Sequence, residues 1–89
     1  MNIVNGLVRI FQNGEDSWGD YHRFDRDGND IQELARNFLT QAKKEKRIQS
    51  YLTGDASFYC ESRGEQGVYF FSWVEQDGRL GMTQYEWED

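Results

Sequence analysis

Ile31-Gln32-Glu33-Leu34-Ala35-Arg36-Asn37-Phe38-Leu39-Thr40-Gln41-Ala42 sets Ile31, Leu34, Ala35, Phe38, Leu39 and Ala42 at i, i+3, i+4, i+7, i+8 and i+11. That spacing is one apolar stripe along an α-helix. Asp30, three residues before Glu33, makes a capping box, because its carboxylate can accept from the free amides of the first turn. The far end is less sharply marked. Continuing the stripe needs apolar residues near 45, 46 and 49, where Glu45, Lys46 and Gln49 stand. Ile48, Tyr51 and Leu52 belong either to a last turn in shifted register or to a separate short element. Lys43, Lys44, Lys46 and Arg47 sit where cations complement the helix dipole.

Downstream, after Thr53-Gly54-Asp55, the period changes to two. Ser57–Ser62, Gly67–Gln76 and Arg79–Trp87 read as three strands, joined by the loop Arg63–Gly67 and by Gln76-Asp77-Gly78, a tight-hairpin signal. Val68-Tyr69-Phe70-Phe71-Ser72-Trp73-Val74 is apolar on both faces, as a central strand covered on both sides would be. Upstream, the β-branched run Met1–Gln12, interrupted by Asn5-Gly6 and closed by Asn13-Gly14, reads as a first strand. Ser17–Phe24 reads as a second, before the turn Asp27-Gly28-Asn29. The expected fold is a single α+β domain over residues 1–89. It has an antiparallel sheet of about five strands in ββαβββ order, packed against one amphipathic helix. One helix covers one face, so the other is expected to present some of Tyr59, Tyr69, Phe71, Trp73, Tyr85 and Trp87, an aromatic patch suited to an interface.

With 89 residues the chain has room for one core. Cys60 is the sole cysteine, and with His22 it falls short of the four ligands of a structural zinc site. Stability is therefore expected from packing of the three Trp, five Tyr and six Phe. No basic-then-apolar N-terminal signal and no apolar run of roughly 20 residues is present, so the expected location is the cytoplasm.

Charge is distributed unevenly within a formal net of −6. Ile31–Leu52 holds five basic residues and two acidic ones, whereas the rest holds five basic and fourteen acidic. Such a split bears on the choice of partner. The motifs that might carry chemistry read more plainly as structure. Setting Gly28 at the sixth position of a calcium loop puts Arg23 at the first and Leu34 at the twelfth, where carboxylates are required, so Asp25–Asp30 reads as a turn into a helix cap. His22 lacks a recognisable nucleophile at a catalytic spacing, and Cys60 between Tyr59 and Glu61 reads as a packed thiol. Gly64-Glu65-Gln66-Gly67 lacks the spacing and the following helix of a phosphate loop. The basic cluster is read as a solvated helix end, because the acidic majority would repel nucleic acid.

The acidic residues carry two readings. One is solubility. In the other, Asp16, Asp20, Asp25 and Asp27 from the early segment, with Glu75, Asp77, Glu86 and Glu88 from the last hairpin, form rows that imitate a phosphate backbone. Trp18, Tyr21, Tyr85 and Trp87 would offer stacking and cation–π faces among them to an Arg- and Lys-rich site. In size, acidity, absence of proline and α+β character the chain resembles the small inhibitors that phages direct against bacterial nucleases, including anti-CRISPR and DNA-mimicking antirestriction proteins, and also acidic immunity proteins. The likeness is of overall character and involves no motif. It implies a non-enzymatic inhibitor, with no cofactor and no metal, that binds a basic nucleic-acid-handling protein and blocks its nucleic-acid site, in the bacterial host cytoplasm if phage-encoded. The alternative expectation is an accessory or scaffolding protein that forms a homodimer through an aromatic sheet face, its acidity incidental.

Overall fold

The computed structural model describes residues 2–14 and 22–88. Two helices, α1 (Ile3–Gly14) and α2 (Ile31–Lys44), precede three strands, β1 (Ile48–Cys60), β2 (Gly64–Glu75) and β3 (Leu80–Glu88). The strands form an antiparallel meander in the order β1-β2-β3. The class is α+β, but five strands in ββαβββ order is corrected to two helices followed by three strands among the described residues. The expected first strand is α1, and most of the expected second strand, Ser17–Phe24, lies outside the described residues. At its end only Phe24 makes a single bridge, to Asp30.

The β-branched content of Ile3–Phe11 points to a strand, yet its buried positions Ile3, Leu7 and Phe11 recur every four residues, the period of a helix packed on one side. Asn2 opens α1 by accepting from the Val4 amide at 2.9 Å. Gly6, which suggests a turn in the sequence, is where the helices meet. A Cβ there would lie 2.3 Å from Cζ of Phe38. Gly14 lies against Ile31 and the Tyr85 hydroxyl, so α1 and α2 run antiparallel over the sheet.

The start of α2 is where the sequence places it: Asp30 Oδ1 accepts from the amides of Gln32 at 2.8 Å and Glu33 at 3.2 Å. Its end answers the question the sequence leaves open. Arg47 N donates to Ala42 O at 2.9 Å while Lys46 takes the left-handed conformation, φ 61°, and the chain enters β1 at Ile48. Ile48, Tyr51 and Leu52 therefore belong to a strand that starts nine residues before the expected one at Ser57. Thr40 Oγ1 and the Tyr51 hydroxyl, 2.7 Å apart, tie α2 to it.

Odd-numbered positions of β2 and β3 face the helices, as does Ile48 ahead of the irregularity in β1. Tyr69, Phe71, Trp73, Tyr85 and Trp87 are all buried there, with Leu7 and Phe11 of α1 and Ile31, Ala35 and Leu39 of α2. The expectation of an exposed aromatic patch is corrected for Tyr69, Phe71, Trp73, Tyr85 and Trp87, which lie on the face that the two helices cover; of the six residues named, Tyr59 is the exposed one, at 74%. Phe11 is 5.4 Å from Phe71 and 5.1 Å from Tyr85 between ring centroids. Register makes this dense layer possible. Trp73 lies opposite Gly81 and Trp87 opposite Gly67, so each indole lies flat across a cross-strand neighbour that has no side chain. A Cβ would come within 2.3 Å of the Trp73 ring at Gly81 and within 2.5 Å of the Trp87 ring at Gly67. The β2–β3 turn closes as the sequence indicates, with Gly78 at φ 89° and Gly78 N donating to Glu75 O at 3.0 Å.

Candidate protein-binding surface

The body extends 45 × 23 × 17 Å, and its long axis follows the strands. One end holds the β1–β2 turn, the close of β3 and the loop 22–30. The other holds the β2–β3 turn and the close of α2. Arg23 secures the loop at the first end. Its Nε donates to the Tyr69 hydroxyl at 3.4 Å, its guanidinium lies 4.7 Å from the centroid of Trp87, and Nη1 is 3.7 Å from Glu65. The Tyr85 hydroxyl holds the neighbouring backbone twice, donating to His22 O at 2.6 Å and accepting from His22 N at 3.1 Å.

Beyond Arg23 the chain turns through Asp25, whose Oδ1 accepts from the amides of Asn29 at 2.8 Å and Asp27 at 2.9 Å. These amides, with Asn29 foremost, hold the Asp25 carboxyl below its usual range. The ligand-like run Asp25–Asp30 is thus a self-satisfied turn that leads into the α2 cap. Asp27, Glu61 and Glu86 are exposed around this end, and Asp30, Glu33 and Asp55 lie a little further along it. Glu65 is paired with Arg23, and Glu88 with Arg63 at 3.1 Å. Carboxylates here outnumber the local Arg23, Arg26 and Arg63.

The structure divides the residues expected to bind a partner. Asp25, Asp27, Glu86 and Glu88 come together at this end. Glu75 and Asp77 stand at the opposite one, where Glu75 Oε1 accepts from Trp73 Nε1 at 3.0 Å and Asp77 Oδ2 is bound by Arg79 Nε at 2.7 Å. Lys43, Lys44, Lys46 and Arg47 gather beside them, since Ile48 pairs with Glu75. The acidic rows are therefore not one stripe. Tyr85 and Trp87, expected to offer stacking faces, are 3% and 2% exposed and serve the core, because their odd register turns them toward the helices. Asp16, Trp18, Asp20 and Tyr21 lie outside the described residues. Sequence reasoning passed over Glu61 and Glu65, which the β1–β2 turn carries to the acidic end. The expected loop Arg63–Gly67 is corrected: β2 already begins at Gly64, and the turn is formed by residues 61–63.

Cys60 lies near the same tip, 3.3 Å from Ser62 Oγ, and Ser62 foremost lowers its thiol below the ordinary value. Among the described residues no group of three or more His, Cys, Asp and Glu side chains could hold a metal ion, and no helix is long and apolar enough to cross a membrane. Comparison of the chain with family models, with curated proteins and with solved structures finds no match.

Proposed function

We propose that this protein is a non-enzymatic inhibitor that inserts its acidic end into the nucleic-acid site of a basic nucleic-acid-handling protein, in the manner of anti-CRISPR or DNA-mimic proteins acting in a bacterial cytoplasm. The observation that carries this reading is the separation of charge along the long axis. Carboxylates of three segments converge on one end, while at the other Lys43, Lys44, Lys46, Arg47 and Arg79 outnumber Glu45, Glu75 and Asp77. A basic cleft attracts the first end and repels the second, so the field orients the approach and speeds association. The rings of Tyr85 and Trp87 are enclosed and offer no stacking faces there, whereas Phe58 and Tyr59 at the close of β1 are 58% and 74% exposed.

The test replaces three exposed carboxylates at once: Asp27→Lys, Glu61→Lys and Glu86→Lys. None is buried, so the fold should persist, as circular dichroism would verify. The unmodified protein, tagged, is expected to capture a basic nucleic-acid-binding protein from bacterial lysates at low salt and to lose it to added DNA, RNA or high salt. The triple variant is expected to capture at least tenfold less. Equal recovery by the variant would remove the acidic end from the mechanism.

A further inference from the structure

At the acidic end, the sheet face turned away from the helices brings a ring and two carboxylates around one small cavity. Phe58 pairs with Gln66 and Gln66 with Glu88, so these three stand in one row across the strands, and Val68 with Glu86 forms the row beside it. Directly opposed residues share a face of the sheet. With Arg63 from the β1–β2 turn, these side chains border a hollow of about 240 Å³. Sites for whole small molecules run from roughly 300 to 1,000 Å³. This one has the size for a single side chain.

Its two walls differ in chemistry. On the β1 side stands the ring of Phe58, which is 58% exposed and lies outside the core. On the β3 side stand the carboxylates of Glu86 and Glu88, with half-buried Val68 of β2 as the floor between. The outer strands are two spacings apart, about 9.6 Å, so ring and carboxylates face each other across the gap. The charge of the hollow is unbalanced. Arg63 Nη2 reaches Glu88 Oε2 at 3.1 Å, whereas exposed Glu86 makes no ion pair among the described residues. Two carboxylates stand against one guanidinium, which leaves room for one further positive charge.

We propose that this hollow receives an arginine side chain of the basic partner, its plane against Phe58 and its N–H groups on Glu86. The assignment rests on the inhibitor reading and names a contact for it. A lysine ammonium would satisfy the charge alone. A guanidinium is planar and more weakly hydrated, stacks on an aromatic face, and presents parallel donors that match both oxygens of a carboxylate. Arg63 shows the same group accepted at this rim by Glu88. Arginines of a nucleic-acid site ordinarily hold phosphates and base edges, so one engaged here is withdrawn from its substrate.

NMR shifts of the full chain, titrated at low ionic strength with N-acetyl-arginine methylamide and separately with the lysine counterpart, test the site. Changes centred on Phe58, Val68 and Glu86 are expected, with the arginine derivative bound at least threefold more tightly. Phe58→Leu keeps apolar bulk at an exposed position and is expected to abolish that preference. Glu86→Gln keeps the shape of the wall and is expected to weaken arginine binding at least fivefold. Circular dichroism of both variants should match the parent. Equal affinity for the two derivatives, changes centred on Glu75 and Asp77 instead, or a Phe58→Leu variant that binds arginine as the parent does would each overturn the proposal. The two readings fail separately. Capture of a basic protein without arginine preference would remove the hollow and leave the inhibitor, whereas arginine preference with no partner captured would retain the site and remove the inhibitor.

Discussion

At the scale of single residues, three glycines are defined by the rings beside them. Gly6, Gly67 and Gly81 leave no room for a methyl group next to Phe38, Trp87 and Trp73. Helix interiors ordinarily prefer Ala to Gly by about 1 kcal/mol. Gly6→Ala should nevertheless destabilise the protein by about 1–3 kcal/mol, because Phe38 must leave its place. Urea unfolding measures it, and a stabilised variant would mean the helices separate freely there. None of the three roles is legible in the sequence. Asn5-Gly6 reads as a turn, and a strand glycine names its cross-strand neighbour only once register is known. What the sequence does carry at this scale is Asp30, whose position before a periodic run predicts the cap that Gln32 and Glu33 amides complete.

Among the elements, α2 was legible over its whole stripe because Ile31, Ala35, Leu39 and Ala42 are buried on one side and its other faces are polar. The hairpin at Asp77-Gly78 was legible because a turn announces itself locally. The helix α1 was not, since Ile3, Val4, Val8 and Ile10 favour strands intrinsically and only packing against Phe38 and Phe71 decides otherwise. The join between α2 and β1 depends on Lys46 at φ 61°, a conformation that costs an L side chain about 1–2 kcal/mol and glycine nothing. Part of that gain is offset by the freedom glycine brings to the unfolded chain. Lys46→Gly should raise stability by about 0.5–1 kcal/mol in thermal or urea unfolding, and a loss would indicate that the lysine side chain contributes more than its backbone strain costs.

For the molecule as a whole, stability should respond to pH differently on the two sides of neutrality. Asp25 at one end and Asp77 at the other are both held below the usual carboxyl range, Asp25 chiefly by the Asn29 amide and Asp77 chiefly by the Arg79 amide. Their contribution is complete above the unfolded value near 4 and is lost as pH falls through their lower folded values. Tyr69 behaves in the opposite sense. Burial raises its phenol above the ordinary value, against the pull of Arg23, so its contribution is present below about pH 10 and is lost as pH rises toward the folded value. Tyr69→Phe is expected to lose proportionately less stability than the parent between pH 8 and pH 11 in urea titrations. Identical slopes would mean that the phenol titrates alike in the folded and unfolded states. The separation of charge that motivates the acidic-end reading was visible in the sequence as a basic middle and acidic flanks. Its division into two ends was not, because the loop that carries Asp27 is brought to the end that holds Glu61 only by the Arg23 contacts to Glu65, Tyr69 and Trp87.

The bond between Tyr85 and His22 spans 63 positions, from the last strand back to the segment before α2. The helical pair and the β1–β2 and β2–β3 hairpins are made from near neighbours in the chain and can form early, whereas this closure must wait for β3 to dock. A chain interrupted ahead of Tyr85 would keep the Arg23 contacts to Glu65 and Tyr69 but lose this clamp on the loop that carries Asp25 and Asp27. The acidic end is thus finished from the far side of the sheet, by β3.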